Sequence, residues 1–186
     1  MQKLVGPLIV AAAILGGAMI GATFAGAASG NSDPYAADRA EIQNLQARYL
    51  FAMDWGDADA YASTFAPDGI LDFAGGVEHG RKEIHDAIQN FHDQAVKRSQ
   101  EEGLRPAARR HNISNMVLKI DGNHATGRAY WFNFNDNNPD RKAYVEAYGH
   151  YEDELEKIDG KWYFTKRKIL NEQMAKRAAT AENPAW

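Results

Sequence analysis

General-base chemistry near neutral pH asks for an imidazole, and this chain has six: His79, His85, His92, His111, His124 and His150. His111 opens a strand-like run directly after Arg109-Arg110. Taken alone, that position also suits a solvent-facing side chain. Asp54 falls at the C-terminal end of a helical segment, where the helix dipole disfavours negative charge. Such a carboxylate calls for a cationic or hydrogen-donating partner, unless it caps the turn at Gly56 or faces water. Tyr49 lies five residues earlier on the apolar stripe of the same segment. It is either core packing or a phenol aimed into a pocket.

Metal chemistry finds less support. His85 and His92 are seven residues apart on one helix, two turns separated and too far to share an ion easily. They read as a solvated face, and no H-E-x-x-H pattern is present. His79 and His124 fall in turns and are expected to be exposed. Strict alternation would put Tyr144, Glu146, Tyr148, His150 and Glu152 on one face of a strand. That row is a pocket wall or a wet dimer interface, with the pocket favoured. Tyr130, Trp131, Phe132, Tyr148 and His150 are accordingly read as substrate-binding residues. Their aromatic character suits a bulky apolar or aromatic small molecule. No cofactor is expected, since no glycine-rich phosphate loop appears.

The elements that must position these residues follow from periodicity. Ile42, Leu45, Tyr49 and Met53 form one stripe, which predicts a helix from Tyr35 to about Trp55. Gly56 ends it, and Asp57 caps a second helix expected to run through Phe65. Pro67-Asp68-Gly69 reads as a turn, Ile70–Phe73 as a short strand, and Gly75-Gly76 as its break. A third helix is expected from about Arg81 to Gln100, buried through Ile84, Ala87, Ile88, Phe91 and Ala95. Strands then follow over 111–120, 125–134, 143–158 and 161–170, joined at two of the junctions by Asp-Gly hairpin turns. Helices against an antiparallel sheet define an α+β class. Bulky residues at adjacent strand positions leave both sheet faces partly apolar. The second face is therefore a candidate self-association surface, and a homodimer or homotrimer is expected.

The chain has 186 residues, no cysteine and a formal net charge of −4. Disulfides and thiolate chemistry are excluded, and the acidic balance gives no electrostatic case for nucleic acid. The basic cluster Lys166-Arg167-Lys168 reads as a solvated strand face. Residues 1–28 have the pattern of a secretory signal: Lys3, an apolar stretch from Leu4 to Ile20, and a small-residue site at Ala25-Gly26-Ala27. An uncleaved anchor is the alternative. A linker over 29–36, a domain over 37–174 and a fraying or briefly helical tail over 175–186 complete the expected organisation. The domain is then periplasmic or secreted, with no stable membrane association after cleavage.

Several blocks together resemble SnoaL-like domains of the NTF2-like superfamily. They are the run from Glu41 to Asp54, Gly56-Asp57, Phe65 to Gly69, Gly80 to Ile84, Arg110-His111-Asn112-Ile113, Tyr151 to Leu155 and Asp159 to Trp162. The resemblance covers about residues 37–171 and implies a cone-shaped α+β fold, a curved antiparallel sheet packed on three helices. One branch comprises cofactor-free lyases: scytalone dehydratase, bile acid 7α-dehydratase and hexachlorocyclohexane dehydrochlorinase. A diarylpropane lyase that releases formaldehyde is a further relative. In that branch an Asp ends the first helix and a His opens a central strand, positions matched by Asp54 and His111. The resemblance therefore implies an acid–base dyad, with Tyr49 at the place of a tyrosine in the bile acid enzyme. Members often carry an arginine near the end of the penultimate strand, where this chain offers His150. A cofactor-free lyase acting on a hydroxylated aromatic or polycyclic molecule is the implied activity. A ketosteroid-type isomerase and a non-catalytic binding or dimerisation module are the alternatives.

Overall fold

In a computed structural model, residues 33–185 are described; the signal-like segment 1–28 lies outside them. The first helix, α1, spans Pro34–Trp55. Asp33 caps it by accepting from the Tyr35 N–H at 3.0 Å, and Pro34 sits at the first position, where no N–H is needed. The helix thus starts inside the expected linker. Its buried stripe is Ile42, Leu45, Gln46, Tyr49, Leu50 and Ala52. Gly56 stops it in the left-handed conformation (φ 67°), which a residue with a Cβ adopts at a penalty.

The second helix, α2, covers Ala58–Ser63 and is capped by Asp57, which accepts from the Ala60 N–H at 2.8 Å. It ends before Phe65, not at it. Phe65 instead begins β1, Phe65–Phe73, so Pro67-Asp68-Gly69 is an irregularity within a strand and not a turn between elements. Beyond the Gly75-Gly76 bend, β2 (Gly76–His79) returns antiparallel to β1, a hairpin the sequence reading did not include. Helix α3 spans Gly80–Glu101. Four strands follow: β3 Arg110–Asp121, β4 His124–Asn135, β5 Tyr144–Ile158 and β6 Lys161–Asn171. Asp159 and Gly160 both have positive φ (49° and 78°), as the tight β5–β6 hairpin demands.

One six-stranded sheet results, in the order β2-β1-β6-β5-β4-β3. All pairs are antiparallel except β1 with β6. The inner face carries Ile113, Trp131, Tyr151, Leu155, Trp162 and Phe164 and closes the core against Ile42, Leu45, Ile84 and Ile88. Burying these side chains supplies the main stabilisation, on the order of 1.5–3 kcal/mol for each large apolar group. No helix among the described residues is long and apolar enough to cross a membrane.

The C-terminal tail, expected to fray or form a short helix, carries no helix among the described residues. It forms turns whose Arg177 ion-pairs with Asp72 of β1. The Glu172 N–H donates to the Tyr148 carbonyl at 3.0 Å, and Arg128 Nε donates to the Pro184 carbonyl at 3.1 Å.

Candidate active site

The end of α1 meets the start of β3, and that junction brings Asp54 against His111. Asp54 Oδ1 lies 2.5 Å from His111 Nδ1. The carboxylate also accepts from the His111 backbone N–H, at 2.9 and 3.1 Å. These donors answer the unfavourable field at the helix end. Both side chains are largely buried, 6% exposed for Asp54 and 12% for His111. An ionised carboxylate only accepts, so Nδ1 carries the shared proton and Nε2 is left as the basic nitrogen. Among the described residues no hydrogen bond engages Nε2.

Trp131 stands beside this pair, its ring centroid 6.3 Å from that of His111, and stacks on Tyr151 at 5.9 Å. Trp131 Nε1 donates to the Leu170 carbonyl at 3.0 Å, across Gly149. A Cβ at position 149 would sit 2.0 Å from that same carbonyl oxygen, so only glycine admits the contact.

Asp54 also lines a cavity of about 70 Å³ between the end of α1, the second half of α3 and the segment before β3. Met53, Ile88, Phe91, Val96 and Pro106 make it apolar; His92, Arg98, Arg109 and Asn137 punctuate it. The space has room for only a few water-sized groups and is smaller than a polycyclic molecule. His92 was expected on a solvated face, yet it is half-buried in this wall. Its ring packs where a Cβ on residue 56 would come within 2.5 Å, which Gly56 permits. His85 instead turns to Asp86 at 3.0 Å and Asp59 at 3.5 Å.

A carboxylate missed as a site residue organises the other wall. The ladder of β4 and β5 slips between Asn133 and Phe134, leaving Glu146 as the extra residue. Strict alternation therefore fails, and Glu146 does not share a face with Tyr148 and His150. It accepts from Asn133 Nδ2 (2.6 Å), Asn135 Nδ2 (2.7 Å), Arg109 Nε (2.9 Å) and Arg109 Nη2 (3.1 Å). Burial pushes its pKa up, but Arg109 and the two amides outweigh burial and hold it below the ordinary carboxylate value.

A second missed group is Arg167. It was assigned to a solvated basic face, yet it is 0% exposed. Its Nε and Nη2 donate to Asp153 at 2.8 and 2.7 Å, and Nη2 also reaches Gln46. The guanidinium lies 4.0–4.1 Å from the ring centroids of Tyr49, Tyr151 and Phe164. Burial alone would lower its pKa, but Asp153 reverses that, so the cation persists. Tyr49 belongs to this cluster. Its hydroxyl accepts from Tyr61 at 2.5 Å, and its side chain does not line the cavity. Burial raises the pKa of Tyr49, and those of Tyr61 and Tyr151 further.

The remaining residues read as substrate-binding separate by face. Trp131 is inner, paired with Ile113. Tyr130, Phe132, Tyr148 and His150 are on the opposite face, with Tyr130 paired to His150 and Phe132 to Tyr148. They do not line the site. Tyr130 and Tyr148 are more than half exposed, while His150 is buried and sits 3.3 Å from Glu152.

A mainly antiparallel sheet curved over three helices gives the chain an α+β fold of the NTF2-like kind. More closely, the chain belongs to the family described as the SnoaL-like domain, whose sequence profile matches residues 34–168. That family includes polyketide cyclases and dehydratases. A Mycobacterium tuberculosis protein of unknown function shares 25% identity over 78% of this chain and 82% of its own, with a TM-score of 0.63. A Nostoc punctiforme protein of unknown function with a cystatin-like fold shares 28% identity, covering 73% and 92%, with a TM-score of 0.61. A putative scytalone dehydratase from Novosphingobium aromaticivorans shares the fold at 17% identity, covering 74% and 85%, with a TM-score of 0.60. No curated protein matches the sequence.

Proposed function

We propose that the protein is a cofactor-independent lyase that eliminates water from a hydroxylated aromatic or polycyclic small molecule. The observation that carries this reading is the buried Asp54–His111 contact, in which Asp54 lines an apolar cavity and Nε2 of His111 is uncommitted. In the proposed reaction Nε2 takes a proton from a carbon next to the one bearing the hydroxyl. The carbon–hydrogen electron pair forms the new double bond, the carbon–oxygen bond breaks with its pair on oxygen, and the imidazolium returns the proton to the departing hydroxide, which leaves as water. Asp54 holds the ring and stabilises the imidazolium. In a lignin-type diarylpropane the same base would take the proton of a hydroxymethyl group; its oxygen pair would form the carbonyl of formaldehyde as the carbon–carbon bond breaks, and the carbon left with that bond's pair would take the proton back from the imidazolium.

Two further features belong to the proposal. The outer aromatic face supports self-association as a homodimer or homotrimer, and the pattern of residues 1–28 supports export. Mass spectrometry of hydroxylated aromatics before and after incubation tests the chemistry. Loss of the mass of one water or one formaldehyde supports a lyase. Product of unchanged mass points to an isomerase. A His111→Ala protein that folds and keeps full turnover on an identified substrate defeats the mechanism.

A further inference from the structure

We infer that residues 104–108 are the lid of the cavity beside Asp54, latched shut by Asp136 and Arg141, and that an aromatic ligand enters by releasing that latch. The inference rests on the reading of this cavity as the substrate site. The cavity measures about 70 Å³. That is about half of the roughly 150 Å³ of an apolar protein cavity that takes benzene, so the closed form admits no ring. Pro106, Ala107 and Asn137 belong to its wall.

Few bonds hold that wall. Residues 104–109 form neither helix nor strand. The Ala108 N–H donates to Asp136 Oδ1 at 2.7 Å, and Arg141 ion-pairs with Asp136 Oδ2 at 2.6 Å. Arg141 Nη1 reaches the Arg105 and Pro106 carbonyls only at 3.4 and 3.5 Å, where a hydrogen bond is weak. On one side the segment ends at Gly103 (φ 68°), where an added Cβ would meet nothing within 4 Å. An unpacked glycine at the end of α3 is suited to be a hinge. On the other side Arg109 is fixed by Glu146.

The closed form also carries costs of its own. Asn137 Oδ1 and Arg141 Nε are shut off from water and have no hydrogen-bond partner among the described residues. Arg141 holds a left-handed backbone (φ 55°), which a residue with a Cβ adopts at a penalty. All three burdens sit in the loop that carries the latch. Moving 104–108 away lets water reach the two unpaired groups, and this works against the Asp136 and Arg141 contacts.

Amide exchange at Ala108, read by NMR, and calorimetric titration with 2-naphthol test this on the full chain without turnover. Arg141→Ala weakens the latch. Ala108 should then exchange about tenfold faster, and 2-naphthol, which the closed cavity cannot hold, should bind about tenfold more tightly. Asn137→Ala removes an acceptor that the closed form leaves unmade, so both effects should reverse by a similar factor. Opposite signs from two substitutions in one loop distinguish a lid from a loop that either change merely loosens. In the wild type, saturating 2-naphthol should speed Ala108 exchange. Circular dichroism checks folding, and Asn137→Ala carries the test if Arg141→Ala misfolds. Effects of the same sign, unchanged exchange, slower Ala108 exchange on binding, or no 2-naphthol binding to wild type and Arg141→Ala overturns the inference. The lyase reading fails separately. A working lid with no elimination on any substrate removes the chemistry alone, and turnover of an identified substrate with Ala108 exchange indifferent to both substitutions removes the lid alone.

Discussion

Replacing Arg167 with methionine removes a buried cation and leaves Asp153 charged, unpaired and 0% exposed. Breaking a buried pair by removing one partner costs about 3–5 kcal/mol. That is a large part of the 5–15 kcal/mol typical of a folded domain. For a domain of this size, roughly 2–4 °C is lost per kcal/mol, so the melting temperature should fall by about 6–20 °C. Adding Asp153→Leu removes the stranded charge. The double variant then retains only the orphaned Gln46 amide, a residual of about 1–3 kcal/mol. Differential scanning calorimetry of wild type, single and double variants reads this directly. A single variant melting within about 2 °C of wild type would show that the Arg167–Asp153 pair does not stabilise the native state, and the argument would be wrong. A double variant that regains stability but lacks turnover would show that the cation also serves the reaction.

Asp54→Asn should leave the fold in place, because an amide oxygen still accepts the His111 N–H, while turnover falls by about 10²–10⁴ through loss of imidazolium stabilisation. Steady-state kinetics on an identified substrate checks it. Glu146 has a folded pKa below its ordinary value, so it contributes stability above pH 4.5 that is lost as pH falls through the lowered value; Glu146→Gln should flatten the acid limb of a melting curve against pH. Gly149→Ala should destabilise by about 2–3 kcal/mol, since its methyl group meets the Leu170 carbonyl and the Trp131 hydrogen bond must give way; urea denaturation measures it.

Periodicity made α1, α3 and the four long strands legible, since each has a sustained apolar pattern and a capping or turn residue at its ends. The β1–β2 hairpin was not legible. Proline and glycine inside β1 look like punctuation, and only pairing with β6 turns that stretch into a strand. The Asp54–His111 meeting came through family resemblance, because two residues 57 positions apart carry no local signal of contact. Arg167 hid between two lysines. Strict alternation from Trp162 and Phe164 would point it outward; the ladder of β5 and β6 slips between Glu154 and Leu155, leaves Thr165 extra and turns Arg167 inward, and Gln46 on the α1 stripe was the polar residue that signalled a buried partner. Glu146 was misplaced because a bulge shifts the two-residue period by one, and no residue type announces that slip.

The parallel pairing of β1 with β6 sets an order on biosynthesis. The last strand of the chain lies in the middle of the sheet, between β1 and β5. As the ribosome delivers the chain from its N-terminus, the β1–β2 hairpin has no lateral neighbour until residues 161–171 emerge. The sheet therefore closes only once residues 161–171 have been made, and a nascent chain truncated before Lys161 leaves β1 and β5 each with an unzipped edge.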